Sequence, residues 1–261
     1  MPRLRFVKMH GSGNDFVVID NRLVGLKLSP LSIERLCRRP EGIGADGLLL
    51  LEKGDLVHYR MRYFNADGGE VEMCGNGARC IGYFIYILEG KKSFPLQTGA
   101  GLIEVEIVGE NYVKISMPEP EDFRLNFSLP NLEGVYNFVI VGVPHLVIFT
   151  DKLDSLDIVT LARPLRYSFI EGGTNVDFVE IVDPNTLRIR TYERGVEDET
   201  LSCGTGATAS ALIAGKLGFV NSPVKVLVRY PEPLTITFNS DFSHPALSGP
   251  VSVSFVGEIE I

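Results

Sequence analysis

Cys74-Gly75-Asn76-Gly77-Ala78 and, 129 residues later, Cys203-Gly204-Thr205-Gly206-Ala207 are two versions of one cassette, separated by close to half of the 261-residue chain. Cysteine, then Gly-x-Gly, then an apolar run is the pattern of a thiol at a helix N-terminus. There, unpaired backbone N–H groups and the helix dipole favour a thiolate. Burying a small hydrophobe needs no Gly-x-Gly, whereas bringing an anion close to the backbone does. The cassettes therefore predict two helices in two related halves, each opened by a reactive thiol. Two such thiols suit a single substrate atom, one as acid and one as base.

The repeat extends beyond the cysteines. Shifted by 129, Met61–Tyr83 falls on Arg190–Leu212, and Tyr63, Glu70, Cys74, Gly75, Gly77 and Ala78 match Tyr192, Glu199, Cys203, Gly204, Gly206 and Ala207. The same shift lays Gly44-Ala45-Asp46 over Gly173-Thr174-Asn175, and a shift of 131 lays Asn14–Asp20 over His145–Asp151, placing His145 opposite Asn14. Landmarks in one order at nearly one spacing read as a duplicated domain, a unit far longer than a solenoid repeat. The expected fold is α/β (α+β): two pseudo-symmetric domains, each a curved, mostly antiparallel sheet or barrel around a central helix. Pro118-Glu119-Pro120-Glu121-Asp122 marks the boundary, since it suits neither sheet nor helix. The first half, carrying Cys74, is then residues 1–118, completed by the alternating run 251–261. The second, carrying Cys203, is 119–250. Within the second half, Ser155–Ala162 reads as a helix.

Bulk properties fit such a protein. Hydrophobic residues make up 45% of the chain, enough for packed cores, and the net charge of −8 argues against nucleic-acid or anionic-membrane partners. The N-terminus shows no apolar signal segment, and no apolar run is long enough to span a bilayer, so a cytoplasmic location is expected. The four cysteines, Cys37, Cys74, Cys80 and Cys203, show no C-x-x-C pair and no zinc-ligand spacing. Cys37 and Cys80 read as buried thiols.

If the substrate is an α-amino acid, its carboxylate can lie at the helix N-termini, held by the N–H groups of Gly75, Asn76, Gly204 and Thr205. The same groups stabilise the charge left when the α-proton departs. A thiol with an ordinary pKa of about 8.5 serves as either acid or base near neutral pH. No cofactor is demanded. Pyridoxal phosphate would need a Schiff-base lysine, and none lies in these Gly-rich motifs. Asn14, Asn65 and Asn175 stand in turns beside strands, where asparagine is common for conformational reasons alone. Arg194, in Tyr-Glu-Arg-Gly near Cys203, suits a second carboxylate, and Glu193 an ammonium. His145 has a supporting place near a thiol.

MHGSGNDFVVID (Met9–Asp20), FNADGGEVEMCGNGARC (Phe64–Cys80), GTNVDFVE (Gly173–Glu180) and YERGVEDETLSCGTGA (Tyr192–Ala207) together resemble the diaminopimelate epimerase family along essentially the whole chain. The resemblance implies pyridoxal-independent interconversion of LL- and meso-diaminopimelate in lysine and peptidoglycan precursor synthesis, by a homodimer. It makes Cys74 and Cys203 the catalytic pair, with His145 and Glu193 assisting them. Asn14, Asn65, Asn175, Glu193 and Arg194 become substrate contacts, and the residues after each cysteine a carboxylate cradle. Gly47 stands where several relatives have Gln, and Val143 where several have Asn. The alternatives are another two-cysteine racemase of the proline or hydroxyproline type, which would not need Glu193-Arg194, and a non-enzymatic thiol or zinc module.

Overall fold

The computed structural model describes residues 3–130 and 132–260. They fall into two compact units: one runs to Ile115 and resumes at Gly249, and the other is Ser116–Ser248.

Unit 1 contains β1 (Arg3–Gly11), β2 (Asn14–Asp20), α1 (Pro30–Cys37), β3 (Gly47–Lys53), β4 (Tyr59–Asn65), β5 (Glu70–Val71), α2 (Gly75–Glu89), β6 (Ser93–Thr98), β7 (Gly101–Gly109) and β8 (Tyr112–Ser116). Unit 2 contains β9 (Glu121–Leu129), β10 (Leu132–Val141), β11 (Val143–Phe149), α3 (Ile158–Arg166), β12 (Asn175–Asp183), β13 (Thr186–Glu193), β14 (Asp198–Glu199), α4 (Gly204–Lys216), β15 (Val224–Leu227) and β16 (Leu234–Thr237). The last strand, β17 (Ala246–Glu260), pairs with β16 at its start and with β1 over the rest.

Strand pairing repeats in the two units. From β1 to β7 the joins are antiparallel to β2, parallel to β3, antiparallel to β4, parallel to β6 and antiparallel to β7. From β10 to β16 the same succession runs through β11, β12, β13 and β15. In unit 1, β17 pairs with both β8 and β1, closing eight strands into a barrel. Each unit is thus a mostly antiparallel sheet curved around one helix. The residues Asn76–Gly82 of α2 and Gly206–Ala214 of α4 are continuously buried, as a helix enclosed on all sides requires. Small residues permit the enclosure: a Cβ on Gly82 would stand 2.6 Å from Val105 Cγ1.

The outer faces of the sheets carry matching cores. In unit 1, Val17, Leu48, Leu50 and Phe64 pack under α1 with Ile33 and Cys37. In unit 2, Leu146, Val176, Phe178 and Tyr192 pack under α3 with Ile158 and Leu165. Strand side chains alternate faces, so these pairs fix which residues correspond on the inner face. Phe16 matches His145, Leu49 matches Asp177, and Tyr63 matches Thr191. This corrects the sequence alignment twice. His145 occupies the place of Phe16 rather than Asn14, and Tyr192 the place of Phe64 rather than Tyr63. The first slip, of two residues, keeps each side chain on its face; the second, of one residue, leaves the motifs looking aligned while reversing every side chain.

Two elements also differ from expectation. The helix of unit 2 is not Ser155–Ala162 but α3: Leu153–Ser155 is a short 3-10 turn, and Asp157 caps α3 by accepting from the Thr160 N–H at 3.2 Å. The helix continues through Pro164 to Arg166, beyond the expected end at Ala162. The acidic boundary run enters β9 at Glu121, a strand the sequence reading leaves out. Its half-buried Phe123, Leu125 and Phe127 do alternate with more exposed polar residues, a period masked by the prolines before it. Among the described residues no helix is long and apolar enough to cross a membrane.

Candidate active site

Each cassette cysteine is the N-cap of its unit's central helix, in extended conformation, with φ −144° at Cys74 and −117° at Cys203. Each sulfur accepts the N–H three residues on, at 3.4 Å from Gly77 and 3.4 Å from Gly206. Helix geometry leaves the N–H groups of Gly75, Asn76, Gly204 and Thr205 without intrahelical partners, so both helix ends can receive an anion. The second glycine of each cassette is a matter of contact. A Cβ on Gly77 would touch Leu49 at 3.0 Å, and one on Gly206 would strike Asp177 Oδ1 at 2.5 Å.

In unit 1, Cys74 is half-buried and its sulfur lies 3.7 Å from Asn14 Oδ1. Asn14 Nδ2 donates to Asp46 Oδ2 at 2.8 Å, and an acceptor there turns the amide oxygen towards the sulfur. Asn76 Nδ2 donates to the same Asn14 oxygen at 3.4 Å, and Arg79 Nη2 donates to Asn76 Oδ1 at 2.8 Å. Behind Asn14, Asp15 takes Lys8 at 2.5 Å and also bonds Arg39. Burial works against the Asp15 carboxylate, but Arg39 and Lys8 outweigh it and bring Asp15 down to about 2. Asn65 stands apart from this chain of contacts, its Oδ1 accepting from Tyr63 OH at 2.7 Å. Gly47 has no space for a side chain, since a Cβ would lie 2.5 Å from the Phe64 carbonyl oxygen.

In unit 2, Cys203 is buried, its sulfur 3.4 Å from Thr205 Oγ1. Beneath the helix end lies a polar group that is almost wholly buried. His145 Nδ1 is 2.7 Å from Asp177 Oδ2, and Thr191 Oγ1 donates to Asp177 Oδ1 at 2.7 Å. Asn175 Oδ1 accepts the Arg194 backbone N–H at 2.7 Å, which leaves its Nδ2 facing His145 Nε2 at 3.4 Å. An N–H donor at Nε2 places the imidazole proton on Nδ1, where it is donated to Asp177. The Arg194 guanidinium reaches the Gly173 carbonyl at 3.4 Å. Burial raises the half-buried Glu193 carboxyl above its usual range. Burial, reinforced by the charges of Glu193 and then Asp177, pushes the Cys203 thiol well up.

The sequence-predicted residues therefore gather unit by unit: Asn14 and Asn76 with Cys74, and His145, Glu193, Asn175 and Thr205 with Cys203. Asp177, Arg79, Asp46 and Thr191 were missed. Asp177 had a signal, since in Asn175-Val176-Asp177 strand alternation puts it on the face of Asn175. Arg79 had one too: it is the only charged residue of α2 before Glu89. Cys37 and Cys80 are buried thiols; burial lifts Cys37 to about 11 and Cys80 further still.

The family model described as diaminopimelate epimerase matches residues 6–121 and 137–253. A diaminopimelate epimerase of Chlorobaculum tepidum is 41% identical over 261 residues, covering 97% of this chain and 100% of its own. One from Archaeoglobus fulgidus is 43% identical over 248 residues, covering 87% of each chain. Among solved structures, a PhzF-family phenazine biosynthesis protein of Bacillus anthracis superposes with a TM-score of 0.75 at 15% identity, covering 100% of both chains. A hydroxyproline epimerase of Agrobacterium vitis does so with 0.72 at 14%, covering 99% of this chain and 91% of its own, so both share the fold alone. With a family match along most of its length and relatives above 40% identity, the chain belongs to the diaminopimelate epimerase family.

Proposed function

We propose that this protein interconverts LL- and meso-2,6-diaminopimelate, an isomerase reaction that serves lysine and peptidoglycan precursor synthesis, with Cys74 and Cys203 as its two acid–base groups. The observation that carries the reading is that each unit's central helix is capped by a cassette cysteine, in a chain of this family.

One thiolate removes the α-proton. The electron pair left on carbon spreads onto the substrate carboxylate, where the N–H groups of Gly75, Asn76, Gly204 and Thr205 stabilise it. The other thiol delivers its proton to the opposite face of the carbon. One proton leaves, one arrives, and nothing is oxidised or reduced. The reverse reaction exchanges the roles of the two sulfurs. Asn14, Asn65, Asn175, Glu193 and Arg194 hold the rest of the substrate, Arg194 through its distal carboxylate and Glu193 through an ammonium. His145, oriented by Asp177, supports Cys203 together with Glu193. We further infer a cytoplasmic homodimer, which a sedimentation mass equal to one chain would refute.

Turnover in D₂O tests the chemistry. Deuterium should enter one α-position per inversion, and Cys74→Ala and Cys203→Ala should each lower the epimerisation rate by at least about 10²–10⁴-fold. Full turnover in either variant removes that cysteine from the mechanism. Turnover of a proline-type monocarboxylate in preference to diaminopimelate would overturn the substrate assignment.

A further inference from the structure

Arg166 ends α3 with its side chain only 6% exposed, and every nitrogen of its guanidinium is engaged. Nη1 donates to the Gly172 carbonyl at 3.0 Å, Nε donates to Glu197 Oε1 at 3.2 Å, and Nη2 lies 3.1 Å from the same oxygen. One buried side chain therefore joins two loops, residues 167–174 between α3 and β12 and residues 194–197 between β13 and β14. Both loops are fitted to it. Its backbone carbonyl accepts the Thr174 N–H at 3.0 Å. Gly173, at φ 73°, leaves the space that Nη1 fills, 1.6 Å from where a Cβ would stand. Glu197 in turn accepts the Gly195 N–H at 3.1 Å through the oxygen that Arg166 holds, and the Tyr192 hydroxyl at 3.2 Å through the other.

Arg194 is suspended between these loops. Its guanidinium donates to the carbonyl of Gly173, beside the peptide that Arg166 holds, and its backbone N–H donates to Asn175 Oδ1. The acid of its own loop, Glu197, is bonded to Arg166, so the Arg194 charge is left to be answered from elsewhere. A guanidinium held in place with its charge unpaired is what recognition of a carboxylate requires. We propose that Arg166 is a positioning residue that sets the specificity of the site. By tying the two loops together and engaging Glu197, it holds Arg194 where the carboxylate at the far end of the substrate arrives. The inference rests on the role given to Arg194 in the function proposed above.

Unit 1 shows the device absent where its task is absent. There the carbonyl in the place of Arg166 belongs to Cys37, which accepts the Ala45 N–H at 3.0 Å near the end of α1. A buried thiol cannot bridge two loops as a guanidinium fork does. With Phe64 in the place of Tyr192, Asn65-Ala66 stands where unit 2 has Glu193-Arg194. The unit without a carboxylate-binding arginine is thus also the unit without the strut. Both were added to one half of the duplicated fold.

Steady-state kinetics of the full chain on diaminopimelate test it. Arg166→Met should raise KM about tenfold while changing kcat less than about threefold, the signature of lost binding rather than lost chemistry. The same substitution is then made in an Arg194→Ala background, with kcat/KM followed by deuterium incorporation. There it should cost less than about twofold, because a residue that acts through Arg194 has nothing left to position. A residue that only props up the fold would cost as much in both backgrounds. Glu197→Gln keeps the size of a half-buried side chain, removes the charge facing Arg166, and should raise KM roughly threefold, again only while Arg194 is present. It decides the matter if Arg166→Met does not fold. Equal losses in the two backgrounds, a fall in kcat at unchanged KM, or a KM that ignores Glu197→Gln and Arg166→Met alike would overturn the proposal. A wild-type chain inactive on diaminopimelate would instead sink the functional reading, so the two failures are told apart by the wild type.

Discussion

Beneath the cassette of unit 1 lie Phe16, Leu49 and Tyr63, with Phe16 and Tyr63 edge to face at 5.8 Å. In the same places in unit 2 lie His145, Asp177 and Thr191, bonded through the Asp177 carboxylate at 2.7 Å on each side. Both trios are buried, and both support a helix that begins at a cysteine. One is a packing device and the other a polar network, so two copies of one fold have kept the thiol and exchanged its surroundings. Unit 1 places its polar support on the helix, in Asn76 and Arg79, and on the neighbouring turn at Asn14. Unit 2 places it in the sheet. Chemically this separates two identical side chains, as a pair sharing acid and base duties needs.

Exchanging the trios is the strongest test of that contrast. Leu49→Asp should destabilise the chain by at least the roughly 2–5 kcal/mol of a leucine truncation, because a carboxylate must also be buried without a partner. The reciprocal Asp177→Leu leaves His145 Nδ1–H and Thr191 Oγ1 without an acceptor, at about 1–3 kcal/mol for each group. It should also reduce turnover by about a hundredfold or more. Urea unfolding and steady-state rates measure both. An Asp177→Leu variant with full stability and full turnover would reduce the polar trio to filler.

A smaller effect separates the units in acid. Asp15 belongs to unit 1 alone, and its folded value of about 2 lies below its ordinary 3.8. A depressed carboxyl stabilises the folded state above its unfolded value and loses that contribution as pH falls through its folded one. Asp15 should therefore contribute about 2 kcal/mol above roughly pH 5, fading between about 4 and 2. Asp15→Asn should remove this contribution and flatten the acid limb of stability against pH. An unchanged limb would assign acid sensitivity elsewhere.

The smallest expected change is at Glu193. Burial is the leading reason the Cys203 thiol is pushed up, and Glu193 comes second. Glu193→Gln should lower the pH midpoint of Cys203 alkylation, by less than about one unit, while leaving Cys74 untouched. A rise, or a shift at both cysteines, would contradict the separate electrostatics of the two halves.

Much of this was legible before folding was considered. The N-cap positions of Cys74 and Cys203 depend on neighbours a few residues away, and both were readable. The strand ends were less so, and β9 was hidden behind prolines and acids. His145, Glu193 and Asn175 were found by motif, yet their partner Asp177 was passed over. An acid within Asn-Val-Asp-Phe-Val looks solvent-facing until both faces of the strand are covered. Arg79 was passed over for the opposite reason, since an arginine on a helix is ordinarily a surface residue.

From its residues alone, then, this chain specified two cysteine-capped helices in two halves, because capping and spacing act over a few residues. Only tertiary structure decided what lies beneath each thiol, an aromatic packing trio in one unit and a histidine–aspartate pair in the other. Strand side chains change face at every residue. A register error of one, invisible in an alignment, is the difference between a core position and a place beside the sulfur.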